Sequence, residues 1–208
     1  TNEFEGGFFY DYTSDSMRGD SLEGADIETG NFNEKRFGFN IGGALIQDKL
    51  FFFASYEKLE GSDLFDRGTA DSNAAVPVEG FSQAQYNEIL DIAQNVYGYE
   101  PGGLVTSLPV EDEKIMLKLD WNINESHRAA LVYNFNDGNT IRESDGDSNE
   151  FEYSNHYYDQ FAEFTSYVAS VYSDWTDDFS TEVRIGTSEF EQNVTPLAGT
   201  DFGEVQIR

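Results

Sequence analysis

Apolar side chains recur at every second position along most of the chain. From Lys114 to Ile123, the residues Ile115, Leu117, Leu119, Trp121 and Ile123 fall on one face. Lys114, Met116, Lys118, Asp120 and Asn122 fall on the other. A period of two is that of an extended strand with unlike faces. Ala129, Leu131, Tyr133 and Phe135 repeat the pattern after the polar turn Asn124-Glu125-Ser126-His127. Phe37, Phe39, Ile41, Gly43 and Leu45 show it earlier. Leu50 to Phe53 is apolar on both faces, so its outward side stays open at this level. The pattern predicts strands near 3–13, 34–46, 50–59, 113–123, 128–136, 161–174 and 179–190, and the opening of another at 203–208. One stretch breaks the rule. Ser82-Gln83-Ala84-Gln85 has the form of a capping box, with Phe81 and Tyr86 placed as a hydrophobic staple. Tyr86, Ile89, Leu90, Ala93, Val96 and Tyr97 follow at helical spacing, which predicts a helix over 83–97 ended by Gly98.

The connections alternate between long and short. Loops at 14–33, 60–112, 137–156 and 191–202 are long, whereas those at 47–49, 124–127 and 176–178 are tight. A soluble sandwich has no need of that rhythm. A transmembrane β-barrel has it, with short periplasmic turns and long extracellular loops. Strands of about ten residues also suit a tilted crossing of the hydrocarbon core. The expected fold class is all-β: an antiparallel up-and-down transmembrane barrel, represented by seven or eight strands, with one short helix in a loop. Phe37, Phe39, Ile41, Ile115, Leu117, Leu119, Trp121, Leu131 and Tyr133 are the expected lipid-facing positions. The chain opens on Thr1 and its last residues read as an unfinished strand, so it is expected to be a piece of a longer barrel.

Composition narrows the choices. The 208 residues carry 40 acids against 12 Lys and Arg, a formal charge of −28. Such a chain repels phosphate backbones, which argues against a nucleic-acid partner. The absence of cysteine removes disulfides, thiolate metal sites and cysteine nucleophiles. Aromatics at 15% speak against disorder. The acids concentrate in the expected loops, with eleven between Glu60 and Glu113 against Arg67 alone.

The candidates for chemistry are few. Asp145, Asp147 and Asn149 alternate as oxygen ligands of a hard cation do. Glu150, however, stands where the EF-hand requires glycine, and a solvated loop tip is the favoured reading. His127 and His156 are expected at opposite ends of the barrel, too far apart for a shared metal or catalytic dyad, and no nucleophile motif accompanies either. No enzyme and no cofactor is expected. Phe65, Tyr97, Tyr99, Tyr153 and Tyr157 are loop aromatics that could meet a ligand, with packing within and between loops as the favoured role.

Three segments carry a family resemblance. Thr1-Asn2-Glu3-Phe4-Glu5-Gly6-Gly7-Phe8-Phe9-Tyr10 resembles the entry into the barrel of Oar-like TonB-dependent outer-membrane receptors. Phe37-Gly38-Phe39-Asn40-Ile41-Gly42-Gly43-Ala44-Leu45-Ile46-Gln47-Asp48-Lys49-Leu50-Phe51-Phe52-Phe53-Ala54-Ser55-Tyr56-Glu57 resembles their second and third barrel strands, and is the most distinctive of the three. Asp120-Trp121-Asn122-Ile123-Asn124-Glu125-Ser126-His127-Arg128 resembles their next turn. The resemblance implies a 22-stranded barrel around an N-terminal plug in the outer membrane of a Gram-negative bacterium. It also implies a small carboxypeptidase-regulatory-like β domain ahead of the plug. The implied partners are outer-membrane lipid and lipopolysaccharide, an imported ligand such as a siderophore, peptide or glycan, and the TonB complex acting through parts outside this chain. Two alternatives stay open: a small eight-stranded outer-membrane barrel with an adhesive or structural role, and a soluble β-rich carbohydrate-binding module.

Overall fold

The computed structural model describes residues 1–26, 32–64, 67–74, 76–105, 107–146, 149–201 and 205–206. In chain order the elements are β1 (Glu5–Ser14), β2 (Ser21–Leu22), β3 (Ala25–Asp26), β4 (Asn33–Ile46), β5 (Leu50–Leu64), β6 (Arg67–Thr69), β7 (Val76–Val78), α1 (Gln83–Asn95), β8 (Ser107–Asn122), β9 (His127–Arg142), β10 (Tyr158–Thr176) and β11 (Phe179–Pro196). Single 3-10 turns stand at Asp15–Met17 and Ser154–His156. Seven strands form one antiparallel sheet in the order β1-β4-β5-β8-β9-β10-β11, and each pairs with the next long strand along the chain. The two short pairs, β2–β3 and β6–β7, lie in the long connections. The sheet is open, with β1 and β11 at its edges.

The register sorts the side chains by chemistry. One row across the strands reads Gly6, Ile41, Ala54, Leu117, Tyr133, Tyr167 and Thr187. The adjacent row, on the opposite face, reads Gly7, Asn40, Ser55, Met116, Asn134, Ser166 and Ser188. Paired residues share a face and successive residues do not. One side is therefore an apolar band and the other is small and polar. The register also settles the run that is apolar on both sides: Phe52 and Ala54 lie with Leu119 and Leu117, and Phe51 and Phe53 lie opposite.

The apolar band has nothing packed on it. Among the described residues the buried apolar side chains are Ala44, Val78, Pro101 and Tyr157, while Phe8 and Ile185 are each 72% exposed. A soluble sandwich would lay a second layer over this face. A barrel wall leaves it to lipid. The band has the right height. On β8 it runs from Ile115 to Trp121 and on to Ile123 beyond the strand. That distance is about 23 Å across a bilayer at a strand tilt of about 30°, close to the ~25 Å of known outer-membrane barrels.

Its upper boundary is slanted. On the apolar face the first charged position is Lys35 beyond Phe37 on β4, and Lys58 beyond Tyr56 on β5. It is Glu113 on β8 and Asp137 on β9, but Glu189, one row lower, on β11. The boundary thus slips by roughly one residue per strand, and such a stagger corresponds to strands inclined by about 30° to the membrane normal.

The strands run further than the alternation predicts, and chiefly at one end. At the short turns the observed limits lie within two residues of those read from the pattern. At the other end β5 reaches Leu64, β8 begins at Ser107, β9 reaches Arg142 and β11 reaches Pro196. Above the bilayer both faces meet water, so the two-residue alternation fades while the ladder of backbone bonds continues. Of the strand expected at 203–208, Val205 and Gln206 belong to no strand, and the remaining positions lie outside the described residues.

The short turns are tied sideways as well as along the chain. Asp48 adopts a left-handed conformation with φ of 61° between β4 and β5. Its backbone N–H donates to Asn2 Oδ1 at 2.8 Å, and Asn2 Nδ2 returns a bond to its carboxylate at 2.7 Å. The Asn122 N–H donates to the Lys49 carbonyl at 2.7 Å, and the Asp174 N–H to that of Ser126 at 2.8 Å.

Candidate functional site: the polar wall and the loop cap

The polar face carries charge that is matched within the wall. Arg36 donates to Glu57 through Nε at 3.0 Å and Nη2 at 2.6 Å. Lys114 lies 3.6 Å from the same Glu57 oxygen and 2.5 Å from Asp112. Lower down, Lys118 pairs with Asp120 at 2.8 Å. Near the short turns the Arg128 guanidinium lies 4.6 Å over the Tyr172 ring, and Arg184 pairs with Glu182 at 2.8 Å. Between these levels stand amides and hydroxyls, with Asn134 donating to Ser166 at 3.2 Å. Phe9 lies across Gly38, where an added Cβ would meet its ring at 2.6 Å. The result is a polar wall with several internal ion pairs, suited to line a lumen.

At the long-loop end the β5–β8 and β9–β10 connections form a single cap. It begins locally. The Ser82 side chain accepts the Gln85 N–H at 3.3 Å, and Gln85 Oε1 accepts the Ser82 N–H at 2.9 Å, which completes the capping box of α1. Gly98 supplies the φ of 64° that turns the chain away, and the Tyr99 N–H closes back on the Ala93 carbonyl at 2.9 Å. The helix covers 83–95, two residues shorter than its apolar spacing suggests, because Val96 and Tyr97 are exposed and gain nothing from helical packing.

Aromatic rings then join the two loops. Phe81 meets Phe151 with centroids 4.9 Å apart, and Tyr86 stacks on Tyr153 at 5.1 Å with 16° between planes. The Tyr153 hydroxyl donates to the Tyr86 carbonyl at 2.9 Å, and the Tyr86 hydroxyl accepts the Leu104 N–H at 3.1 Å. The Ser154 and Asn155 N–H groups donate to the Gly103 and Pro101 carbonyls, each at 3.1 Å. Burial pushes the Tyr153 hydroxyl up to about 12, and the deeper Tyr157 higher still. Arg67 pairs with Glu143 across the loops.

These placements divide the loop aromatics between packing and exposure. Tyr157 is only 1% exposed and forms the centre of the cap with Val78 and Thr69, so it cannot meet a ligand; its ring is worth more in this small core. Tyr153 is committed to Tyr86. Tyr97 is 77% exposed and Tyr99 is partly exposed, and both remain accessible beyond α1. Phe65 and Asp147 lie outside the described residues. Asp145 is held by its backbone N–H, which donates to Glu152 at 2.5 Å. Among the described residues no group of three or more His, Asp and Glu is placed to hold a metal ion. His127 sits edge-on to Trp175 at 5.1 Å beside a short turn, and His156 lies in the cap. Phe37, Phe39, Ile41, Ile115, Leu117, Leu119, Trp121, Leu131 and Tyr133 all fall on the single apolar face. The roles of Arg67, Glu143 and Glu152 leave no trace in local periodicity, since each is one acid or base among many in a polar loop.

Residues 1–100 match the family model described as an outer membrane beta barrel domain. No curated protein and no solved structure matches the chain. Taken with the open antiparallel sheet, its bare apolar band and its alternating connections, that match makes this chain part of the barrel of a Gram-negative outer-membrane protein.

Proposed function

We propose that these strands form one sector of a ligand-importing receptor barrel of the Oar-like, TonB-dependent kind. The observation that carries this reading is the cap. Two long connections, rooted in β5, β8, β9 and β10, fold into one body with its own small core. Structure of that sort suits a vestibule that must present a fixed surface to a ligand. The polar wall below, with its internal ion pairs, suits a hydrated lumen. In this reading the apolar face meets outer-membrane lipid and lipopolysaccharide. The exposed Tyr97 and Tyr99 offer contacts to a siderophore, peptide or glycan. Energy comes from TonB through segments outside this chain, and the protein performs binding and gated passage rather than chemistry.

The test uses the intact protein purified from outer membranes and the C-terminal domain of TonB. Saturable binding is expected, together with loss of ligand uptake in cells lacking the protein. A closed eight-stranded barrel that ignores TonB would replace this reading with the structural or adhesive one. Deleting 81–98 from the intact protein should leave the barrel assembled and impair capture; unchanged uptake would remove the cap from the ligand path.

A further inference from the structure

Helix α1 is apolar on two sides, and only one of them is used inside the cap. Tyr86, Ile89, Leu90 and Ala93 are half-buried, and Tyr86 meets Phe151 and Tyr153 there. Ile92 and Val96 follow Glu88 at four-residue steps, so the three form one row along the flank of the helix. Ile92 is 41% exposed, Val96 69%, and Tyr97, just beyond, is more exposed still. A helix flank that meets only water is ordinarily polar. The charges at this end of α1 are also one-sided. Its last turn has no base to meet the negative pole of the backbone dipole. Carboxylates stand there instead. Asp91 lies one turn from Glu88, and Glu100 returns to the last turn, where Gln94 Nε2 donates to it at 2.8 Å. From Gly68 to Val110 the chain holds five acids and no Lys or Arg.

The row is therefore apolar along its length and negative at its margins. Its complement is a chain segment that sets aliphatic side chains between cationic ones. An anionic ligand is repelled here, and a neutral one leaves the carboxylates without a counter-charge. We propose that the outer flank of α1 binds basic amphipathic peptide segments. Their aliphatic side chains lie on Ile92, Val96 and Tyr97. Their lysine or arginine heads meet Glu88, Asp91 and the negative pole of the helix. The assignment rests on the cap being the vestibule of an importing receptor, and it narrows the ligand of that receptor to a positively charged peptide.

The probe is the fluorescent pentapeptide Lys-Leu-Lys-Leu-Lys, with Glu-Leu-Glu-Leu-Glu as its charge-reversed counterpart, added to the intact protein in a nonionic detergent. Saturable binding of the basic peptide is expected, weakening about fivefold between about 0.05 and about 0.3 M salt, with none of the acidic one. Val96→Ser with Tyr97→Ser should weaken it about tenfold at either salt. Glu88→Gln with Asp91→Asn should weaken it about fivefold at low salt alone, and Asn at 91 keeps the acceptor that Asn95 uses. Unchanged heat resistance, and unchanged protease resistance between 79 and 105, report that barrel and cap are intact in each variant. Val96→Cys should react with an impermeant maleimide on whole cells; a cysteine that stays unlabelled means that a neighbouring loop covers the row, and overturns the proposal. Equal binding of the two peptides overturns it too, as does binding indifferent to both pairs of substitutions. No peptide binding while TonB still binds overturns this assignment alone; peptide binding without TonB binding upholds the surface and overturns the receptor reading.

Discussion

The wall and the cap are held together by different means. In the wall the side chains of the apolar face touch little but their cross-strand neighbours, and the face is bare in the protein itself. Its stability comes from the backbone ladder and from the solvent that covers it. The cap is a conventional small core, with Tyr157, Val78 and Thr69 shielded from solvent and aromatic rings meeting between loops. The first is a surface written for lipid, in which each position needs only the right polarity. The second is a set of particular contacts, in which each position needs a particular partner.

That contrast can be broken most forcefully in the wall. Arginine in place of Leu119, near the middle of the band on β8, should cost about 2–4 kcal/mol and abolish heat-resistant barrel in gel-shift assays. Lys118→Leu on the opposite face should be borne with little loss. Equal damage from both would mean that the faces are wrongly assigned. In the cap, Tyr86→Ala removes a stacked ring and the hydrogen bond that its hydroxyl accepts from the Leu104 N–H, and should cost about 2–3 kcal/mol locally. Protease cleavage between 79 and 105 should then accelerate while the barrel keeps its heat resistance; a barrel that fails with it would show the two regions to be one cooperative unit. Ser82→Ala removes half of the capping box and should cost about 1 kcal/mol, visible as faster exchange of the first amides of α1 alone.

The smallest effect lies where wall and cap meet. Glu60 accepts bonds from Lys35 at 2.5 Å and Lys58 at 2.8 Å, and these hold its carboxyl down to about 2. Its pKa is lowered on folding, so the contribution is present above the ordinary value of 4.5 and fades as pH falls from there toward 2. The group is partly exposed, so the effect should be slight and shrink further in about 0.5 M salt. Amide exchange at the outer ends of β4 and β5 should quicken over that acid range, and Glu60→Gln should remove the dependence.

The same contrast explains what could be read from the chain alone. A strand such as β8 declares its faces through Ile115, Leu117, Leu119 and Trp121, because lipid on one side and water on the other impose polarity at every position. The helix was equally legible, since Ser82, Gln85 and Gly98 act within a few residues. The meeting of Tyr86 with Tyr153, or of Arg67 with Glu143, spans some seventy residues and depends on two loops returning to one place. No local period records that. Tyr157 shows the cost: an aromatic in a polar loop reads as exposed until its neighbours are known. The outer ends of the strands escaped for another reason, as pairing continues there after the alternation that reveals it has ended.

The open sheet bears on how such a wall is made. Along β1 and β11 the outward N–H and C=O groups have no strand beside them among the described residues. In water they would recruit another copy or aggregate. In hydrocarbon each uncapped group costs several kcal/mol. A growing intermediate with two such margins can rest in neither medium. Insertion must then await a neighbouring strand or a cellular machine that shields the margins, and seven correct strands alone would not make a smaller pore but a product that the membrane refuses.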